Sequence, residues 1–299
     1  MKKCCLLLCA LAALPLFGTE AKPRSKVVMS PSFRQVGVAE TGPVVLFVDE
    51  PDEKVRVRAE YRYWLDLPER HTQDEAQIRQ FVAGLVAETN LVAATVDHDF
   101  PAADEPVRTL PDALRYRRDL CWEKCRELAA PYGGMLEGDV DFADDRYVGY
   151  TLVENCYYGG NNGGEYVTTH GVYSIPLKRR LRLSDLFAPE ALPRLNRLVR
   201  DAYANHSARG EYCATYEDFR MKYPKEGDPE DGELSDPVAT DGFTILRSGL
   251  RWSFEDRSIV GYAKMRAEQP LHADVCWRDL LPLLRDRSLL PAVTSAFGL

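Results

Sequence analysis

Hydrophobic and polar residues alternate along several parts of this chain, and a period of two residues is typical of strands with one solvent-facing side. In the segment 54–67, for example, Val55, Val57 and Ala59 alternate with charged residues. The turn residues 143–146 separate two such runs and predict a hairpin. The predicted strands are 54–67, 138–142, 147–157, 166–175, 243–246, 250–254 and one within 261–275, interrupted at Pro270.

Other segments have apolar residues three and four positions apart, which predicts helices with one buried face. The first follows a capping-box pattern, Thr72 to Glu75, and should end by Asn90. The others are expected at 110–128, 192–203 and 276–285. Because strands and helices come in blocks, the sequence predicts an α+β fold. We expect largely antiparallel sheets with helices packed on one face, in two halves of similar size.

The first residues have the pattern of an export signal. Lys2 and Lys3 precede an apolar run, 4–17, and Thr19-Glu20-Ala21 offers a small-residue cleavage site. The run is shorter than the roughly 20 apolar residues that span a bilayer. We therefore expect residues 1–21 to be a cleaved signal peptide and the protein to be exported, to the periplasm or beyond. A lipid anchor is the less favoured alternative, because Cys5 and Cys9 follow Cys4 and Leu8 rather than small residues.

The chain after the signal divides into three predicted parts. Residues 22–53 are rich in proline and contain one apolar run, 44–48, so they are expected to form an N-terminal tether with at most one short strand. We expect an N-terminal α+β region at 54–155 and a C-terminal region at 156–299.

The charge of the chain argues against several partners. The formal net charge is −8, and removal of Lys2, Lys3 and Glu20 with the signal would make it −9. Such a surface repels phosphate backbones, so nucleic acid is not expected as a partner. No apolar run after the signal approaches membrane length.

Five cysteines follow the signal: Cys121, Cys125, Cys156, Cys213 and Cys276. In an oxidising compartment one or two disulfides could form, with at least one thiol left over, but sequence does not give their connectivity. Cys121 and Cys125 have no second cysteine pair or nearby histidine, as a zinc site would require. Buried or bridged cysteines are therefore the favoured interpretation.

Two blocks of the sequence resemble the DUF3298 domain family. The first contains Tyr157-Tyr158-Gly159-Gly160, a strand ending at Ile175, and Leu183-Ser184-Asp185-Leu186-Phe187. The second contains Asp241-Gly242-Phe243-Thr244, Gly249-Leu250, Gly261-Tyr262-Ala263 and Asp279-Leu280. The region 54–130 is similar to the DUF4163-like partner region of extracytoplasmic anti-sigma factors and peptidoglycan deacetylases.

This resemblance implies an exported, non-catalytic α+β module at the bacterial envelope that recognises a cell-wall glycan or an envelope or extracellular protein. One departure concerns a possible role of histidine. The glycine pair of the family is commonly followed by Ala-His, whereas Asn161-Asn162 stand here. A role that needs an imidazole at that place does not carry over.

The glycine-rich cluster 159–164 is the candidate ligand site. A phosphate loop would open a helix and carry Lys with Ser or Thr, whereas strands precede and follow this cluster. A wide hairpin needing positive φ is the favoured interpretation, and the aromatic surroundings suit a recognition patch. The candidate ligand-binding residues are Tyr157, Tyr158, Gly160, Asn161, Asn162, Tyr166 and His170.

The sequence carries no established catalytic or metal motif. The five histidines form no HxxH or HxxxH pair, there is no GxSxG, and the acidic residues 139–145 suit a solvated hairpin better than calcium. We therefore expect no cofactor and no metal. Two alternatives to a binding module remain: a hydrolase whose triad assembles from distant residues, such as His170 with Cys156 or Cys213, and a structural scaffold with a broad apolar patch.

Overall fold

The computed structural model describes residues 32–47, 54–69, 72–88, 109–128, 131–158, 165–205, 213–225, 235–254, 259 and 271–285. Its strands are β1 (Phe33–Phe47), β2 (Lys54–Pro68), β3 (Tyr132–Ala143), β4 (Tyr147–Tyr158), β5 (Glu165–Ser174), β6 (Arg179–Arg180), β7 (Phe243–Ile245), β8 (Gly249–Phe254) and β9 (Leu271–Cys276). Its α-helices are α1 (Gln73–Glu88), α2 (Leu110–Leu128), α3 (Leu183–Leu186), α4 (Leu192–Ala204), α5 (Tyr216–Lys222) and α6 (Trp277–Leu280).

The strands form two sheets, and the predicted α+β class is confirmed. Six strands pair in the order β1-β2-β3-β4-β5-β6, and three pair in the order β7-β8-β9. Every pair is antiparallel except β2–β3, which the crossover through α1 and α2 makes parallel.

The N-terminal tether expected at 22–53 differs from the structure. Instead of at most one short strand, β1 runs for 15 residues and pairs with β2 from Phe33↔Pro68 to Phe47↔Lys54. Pro43 argued against a strand, but β1 is the edge of its sheet, where a missing N–H is tolerated. The described fold therefore includes β1, which precedes Lys54.

Two hydrophobic cores lie on opposite faces of the six-stranded sheet. On one face, α1 and α2 pack on alternate residues of β4, including Val148, Tyr150 and Leu152, to form the helix-side core. On the other face, Tyr147 and Val172 belong to the second core, which contains the three-stranded sheet and α4. The sheet is therefore covered by helices on one side and partly by another sheet on the other.

Several local predictions are confirmed in detail. In the capping box before α1, Thr72 N donates to Glu75 Oε2 at 2.9 Å and Glu75 N donates to Thr72 Oγ1 at 3.2 Å. In the β3–β4 hairpin, Asp144 Oδ1 accepts from the backbone N–H groups of Arg146 and Tyr147. The sequence predicted the capping box and the hairpin because both depend on residues close together in the chain.

The described C-terminal elements match their predictions only in part. The strand expected within 261–275 is described only from Leu271, since residues 260–270 lie outside the described part. The helix expected at 276–285 is α6 followed by a 3₁₀ turn, Leu281–Leu283. Pro282 explains the break, because it donates no backbone N–H. Within the described ranges, none of the helices has the length and apolarity needed to cross a membrane.

Candidate functional site

A chain of polar side chains joins the two sheets, and we call it the polar bridge: Asp141, Thr151, His170, Thr244, Ser253 and His272. The strand register explains how it assembles. Thr151 lies directly opposite His170 in β4–β5, and Ser253 lies directly opposite His272 in β8–β9. Asp141 lies where the β3–β4 register shifts between Val140 and Phe142, which is the position of a β-bulge.

The sheets approach closely beside this bridge because β4 has a glycine there. A Cβ atom on Gly149 would lie 2.8 Å from Thr244 Oγ1 and 3.1 Å from the backbone nitrogen of Ile245. Both distances are shorter than ordinary contacts. Glycine at this position lets β7 pack directly against β4, and this brings Thr244 within reach of Asp141.

The bridge is a continuous series of hydrogen bonds. Thr151 Oγ1 and Thr244 Oγ1 both donate to Asp141 Oδ2, at 2.5 and 2.8 Å. On the other side, Thr151 Oγ1 is 2.8 Å from His170 Nδ1, and His170 Nε2 is 2.6 Å from Ser253 Oγ. Ser253 Oγ is in turn 2.6 Å from His272 Nδ1.

With Asp141 ionised and His170 neutral, these contacts fit one consistent pattern of protons. The Thr151 hydroxyl has only one proton and donates it to the Asp141 carboxylate, so it accepts a hydrogen bond from His170 Nδ1–H. His170 Nε2 is then unprotonated and accepts from the Ser253 hydroxyl. Ser253 Oγ accepts from Nδ1–H of His272. His170 therefore accepts a hydrogen bond from Ser253, whereas His272 donates one to it.

Burial controls the ionisation of the bridge. His170 is 2% exposed, and burial lowers its pKa to about 3, with further contributions from His272 and Arg251. Burial also raises the pKa of the Asp141 carboxyl, although hydrogen bonds from Thr151 and Thr244 oppose this effect. At neutral pH the bridge therefore contains a neutral His170.

The Ser253–His170 pair resembles a nucleophile with its general base, and its chemistry can be judged from its partners. In a catalytic triad a carboxylate contacts Nδ1 and stabilises the imidazolium. Here Thr151 occupies that place, and Asp141 is one hydrogen bond further away. A general base works best with a pKa near the operating pH, whereas that of His170 is about 3. The arrangement therefore favours a structural link between the sheets over proton transfer.

The triads considered from sequence do not assemble in the described residues. Cys156 belongs to the helix-side core and Cys213 to the second core. The ring nitrogens of His170 instead contact Thr151 and Ser253. Sequence reasoning missed Ser253 and His272 because their contacts depend on how two sheets pack.

A concave site of about 660 Å³ lies between α1, α2 and the β1–β2 hairpin, and we call it the helix–hairpin cleft. Tyr61, Tyr63 and Leu67 of β2 form an apolar and aromatic wall. The lining residues from the two helices are Ala76, Arg79, Gln80, Leu110, Pro111, Leu114, Arg115 and Arg118, and Val36 and Thr109 complete the cleft.

The charge of the cleft differs from that of the whole chain. Its described lining includes three arginines and no carboxylate, in a protein of net charge −8. Neighbouring groups contact all three arginines: Arg79 Nε donates to the backbone oxygen of Pro68 at 2.7 Å, Arg115 pairs with Asp112 at 3.4 Å, and Arg118 pairs with Asp119 at 2.9 Å. Guanidinium groups beside an aromatic wall suit a ligand with a carboxylate and an apolar or sugar surface.

The structure describes only part of the set of ligand-binding residues predicted from sequence, and this set stays a prediction. Gly160, Asn161 and Asn162 lie outside the described residues, and Tyr157 and Tyr158 are described only as the end of β4. Tyr166 is half-buried on β5, opposite Asn155.

His170 is four residues further along β5, about 13 Å away at 3.3 Å per residue, and is buried in the polar bridge. The role of the other predicted residues stays a prediction.

The alternative of a structural scaffold predicted a broad apolar patch. The exposed large hydrophobic residues of the described part are Leu128, Leu177 and Met221. They lie on α2, on the β5–β6 turn and on α5, which are three separate elements. These three residues therefore do not form one apolar patch, and the scaffold alternative stays a prediction.

Two solved structures share the fold of this chain. One is a member of the DUF3298 family from Bacteroides fragilis, with a TM-score of 0.58 and 15% identity over 89% of this chain and 99% of the other. The fold of the chain is that of the DUF3298 structures. The second, a DUF3298 family protein from Pseudomonas aeruginosa, has a TM-score of 0.50 and 14% identity over 86% of this chain and 96% of its own. No family model and no curated protein matches the sequence.

Proposed function

We propose that this protein is an exported, non-catalytic binding module of the bacterial envelope that holds a carboxylate-bearing cell-wall fragment in the helix–hairpin cleft. The observation that carries this proposal is the cleft itself: about 660 Å³ lined by aromatic side chains and three arginines. Its volume is in the range of small-ligand sites, which are typically apolar with a few placed polar groups. Cell-wall stem peptides carry carboxylates that such arginines would recognise.

Three features of the chain support this proposal. The N-terminal segment has the pattern of an export signal. The DUF3298 fold and the DUF4163-like pattern of the N-terminal region are, by resemblance, those of envelope proteins. The cleft lies between α1, α2 and β2, within that N-terminal region. A protein partner at the same cleft is the alternative occupant.

Binding can be tested by isothermal titration calorimetry with purified disaccharide-tetrapeptide fragments of peptidoglycan. We expect Tyr63→Ala and Arg118→Ala each to weaken binding by about tenfold, because they remove the aromatic wall and a charged contact. The control is Arg278→Ala, since Arg278 also contacts the aspartate that follows it but lies outside the cleft. Equal affinity of wild type and both cleft variants would contradict the proposed site.

A hydrolase is the second candidate, favoured by the 2.6 Å contact between Ser253 Oγ and His170 Nε2. We expect a fluorophosphonate probe, which labels activated serines, to leave the protein unmodified at neutral pH, since His170 is a weak base. Intact-protein mass spectrometry provides the measurement, with Ser253→Ala as control. Stoichiometric labelling of wild type that Ser253→Ala and His170→Gln both abolish would establish the hydrolase instead.

A further inference from the structure

Cys121 of α2 and Cys156 of β4 meet in the helix-side core, where both are at most 1% exposed. The residue between them is Gly134 of β3, which lies directly opposite Cys156 in the β3–β4 register. A Cβ atom on Gly134 would lie 2.5 Å from Cys121 Sγ. The sulfur of Cys121 therefore occupies the space that the side chain of residue 134 would fill.

This placement brings the two cysteines together. Side chains directly opposite each other on antiparallel strands project from the same face, with Cβ atoms about 4.5–5.5 Å apart. The sulfur of Cys121 thus takes the position of the cross-strand neighbour of Cys156. A disulfide places the two Cβ atoms about 3.5–4.5 Å apart, and Cys121 Sγ lies beside the strand position directly opposite Cys156.

We infer that Cys121 and Cys156 form a disulfide that links α2 to β4 in the mature protein. All five described cysteines are thiols in the structure. The structure therefore represents the reduced form, and the inferred disulfide belongs to the oxidised form. This inference relies on the proposed export, because disulfides persist in oxidising compartments. The pairing itself can be tested in a defined redox buffer, independently of where the protein resides.

The bond forms by thiol–disulfide exchange with a small or protein disulfide as oxidant. One cysteine, as thiolate, attacks the oxidant, whose S–S bond breaks to release one thiol and leave a mixed disulfide. The second cysteine then displaces the remaining half as a second thiol. The two cysteines lose two electrons and two protons in total, and the oxidant gains them. Burial raises the pKa of the Cys121 thiol, so exchange should precede docking of α2 during folding.

The remaining described cysteines have other surroundings. Cys125 is one helical turn after Cys121 and interacts with the backbone of Tyr132. Cys213 lies in the second core, and Cys276 Sγ donates to Asp279 at 3.0 Å. Cys125 is therefore the natural competitor for Cys156 and supplies the matched control.

The pairing is tested by refolding the full chain in oxidised and reduced glutathione, blocking thiols with iodoacetamide and mapping tryptic peptides by mass spectrometry. Trypsin cleaves after Lys124, so Cys121 and Cys125 fall in different peptides. We expect the peptide 119–124 to be linked to 147–178, which contains Cys156. A fully alkylated Cys121, or a link from Cys125 to Cys156, would overturn the inference.

The stability of variants gives a second measurement. Closing a loop of about 35 residues should raise the melting temperature of oxidised over reduced protein by roughly 5–15 °C. Cys125→Ser should preserve this difference, and Cys121→Ser and Cys156→Ser should abolish it. An unchanged difference in Cys121→Ser would overturn the inference even if the peptide map were incomplete. If the protein forms the Cys121–Cys156 disulfide but does not bind the disaccharide-tetrapeptide, only the proposed function is contradicted.

Discussion

Replacing Gly249 with alanine should unfold the three-stranded sheet or prevent the protein from folding. A Cβ atom at Gly249 would lie 1.8 Å from the backbone oxygen of Val275 and 2.9 Å from Cys276 Cα. These are main-chain atoms of β9, so β8 and β9 would have to separate. Overpacking of this kind costs about 3 kcal/mol or more when backbone must move. Urea denaturation followed by circular dichroism measures the loss in free energy of unfolding.

The matched control is Gly84→Ala in α1. Nothing lies within 4 Å of a Cβ at Gly84, and alanine is favoured over glycine inside a helix by about 1 kcal/mol. This variant should therefore be as stable as wild type or more so. If Gly249→Ala unfolded at the same urea concentration as Gly84→Ala, the described pairing of β8 with β9 would be wrong.

The second large effect is a loss of stability in acid that depends on His170. Its pKa is about 3 in the folded protein and about 6.5 in an unfolded chain, so the unfolded state binds more protons between these values. The contribution of His170 to the free energy of unfolding should therefore be fully present above pH 6.5 and should decrease as pH falls toward 3. The slope from this one group is at most about 1.4 kcal/mol per pH unit. Urea denaturation at several pH values measures it.

Asp141 has the opposite effect on the pH dependence of stability, because its pKa is raised in the folded protein. Protonation of Asp141 in the folded state would add stability as pH falls toward 3.8, and this partly offsets the loss from His170. His170→Gln isolates the histidine contribution, since glutamine stays neutral and can still donate and accept. We expect this variant to be less stable at pH 7 and to show a smaller slope between pH 4.5 and 6.5. An identical slope in both proteins would show that His170 is not buried as described.

The fold could be predicted from sequence where the determining contacts are local. The alternation in 54–67, the capping box at Thr72 and the Asp144 turn each depend on residues close in the chain. β1 was missed because Pro43 reads as a strand breaker unless the strand is known to be an edge. The edge position of β1 depends on the order of all six strands, and a local sequence pattern does not reveal that order.

The candidate sites could not be predicted in the same way. Ser253 reaches His170 only because the second sheet packs on the first at Gly149. The period of two in 250–254 places Leu250, Trp252 and Phe254 on one face of the strand and Ser253 on the other. It did not show what that other face would contact. The cleft likewise combines two helices with a hairpin whose first strand was not expected.

The polar bridge and the cleft have separate roles in this account. The bridge joins two cores through buried, hydrogen-bonded groups, and removing one partner leaves others unsatisfied at a cost of about 1–3 kcal/mol. The cleft lies on the opposite side of the six-stranded sheet, since Tyr61 and Leu67 belong to the helix-side core. Variants of the bridge should therefore alter stability, and variants of the cleft should alter binding.

The central claim is that the helix–hairpin cleft is the ligand site. It is tested most directly by titrating ¹⁵N-labelled protein with disaccharide-tetrapeptide and following backbone amide shifts. We predict saturable shifts at cleft residues of α1 and α2, such as Gln80 and Leu114, with much smaller changes at the glycine cluster 159–164. The disaccharide without its peptide should produce weaker shifts, because it lacks the carboxylates of the peptide and keeps only the lactyl carboxylate of its muramic acid. Shifts confined to 157–166, or no shifts at millimolar ligand, would contradict the claim.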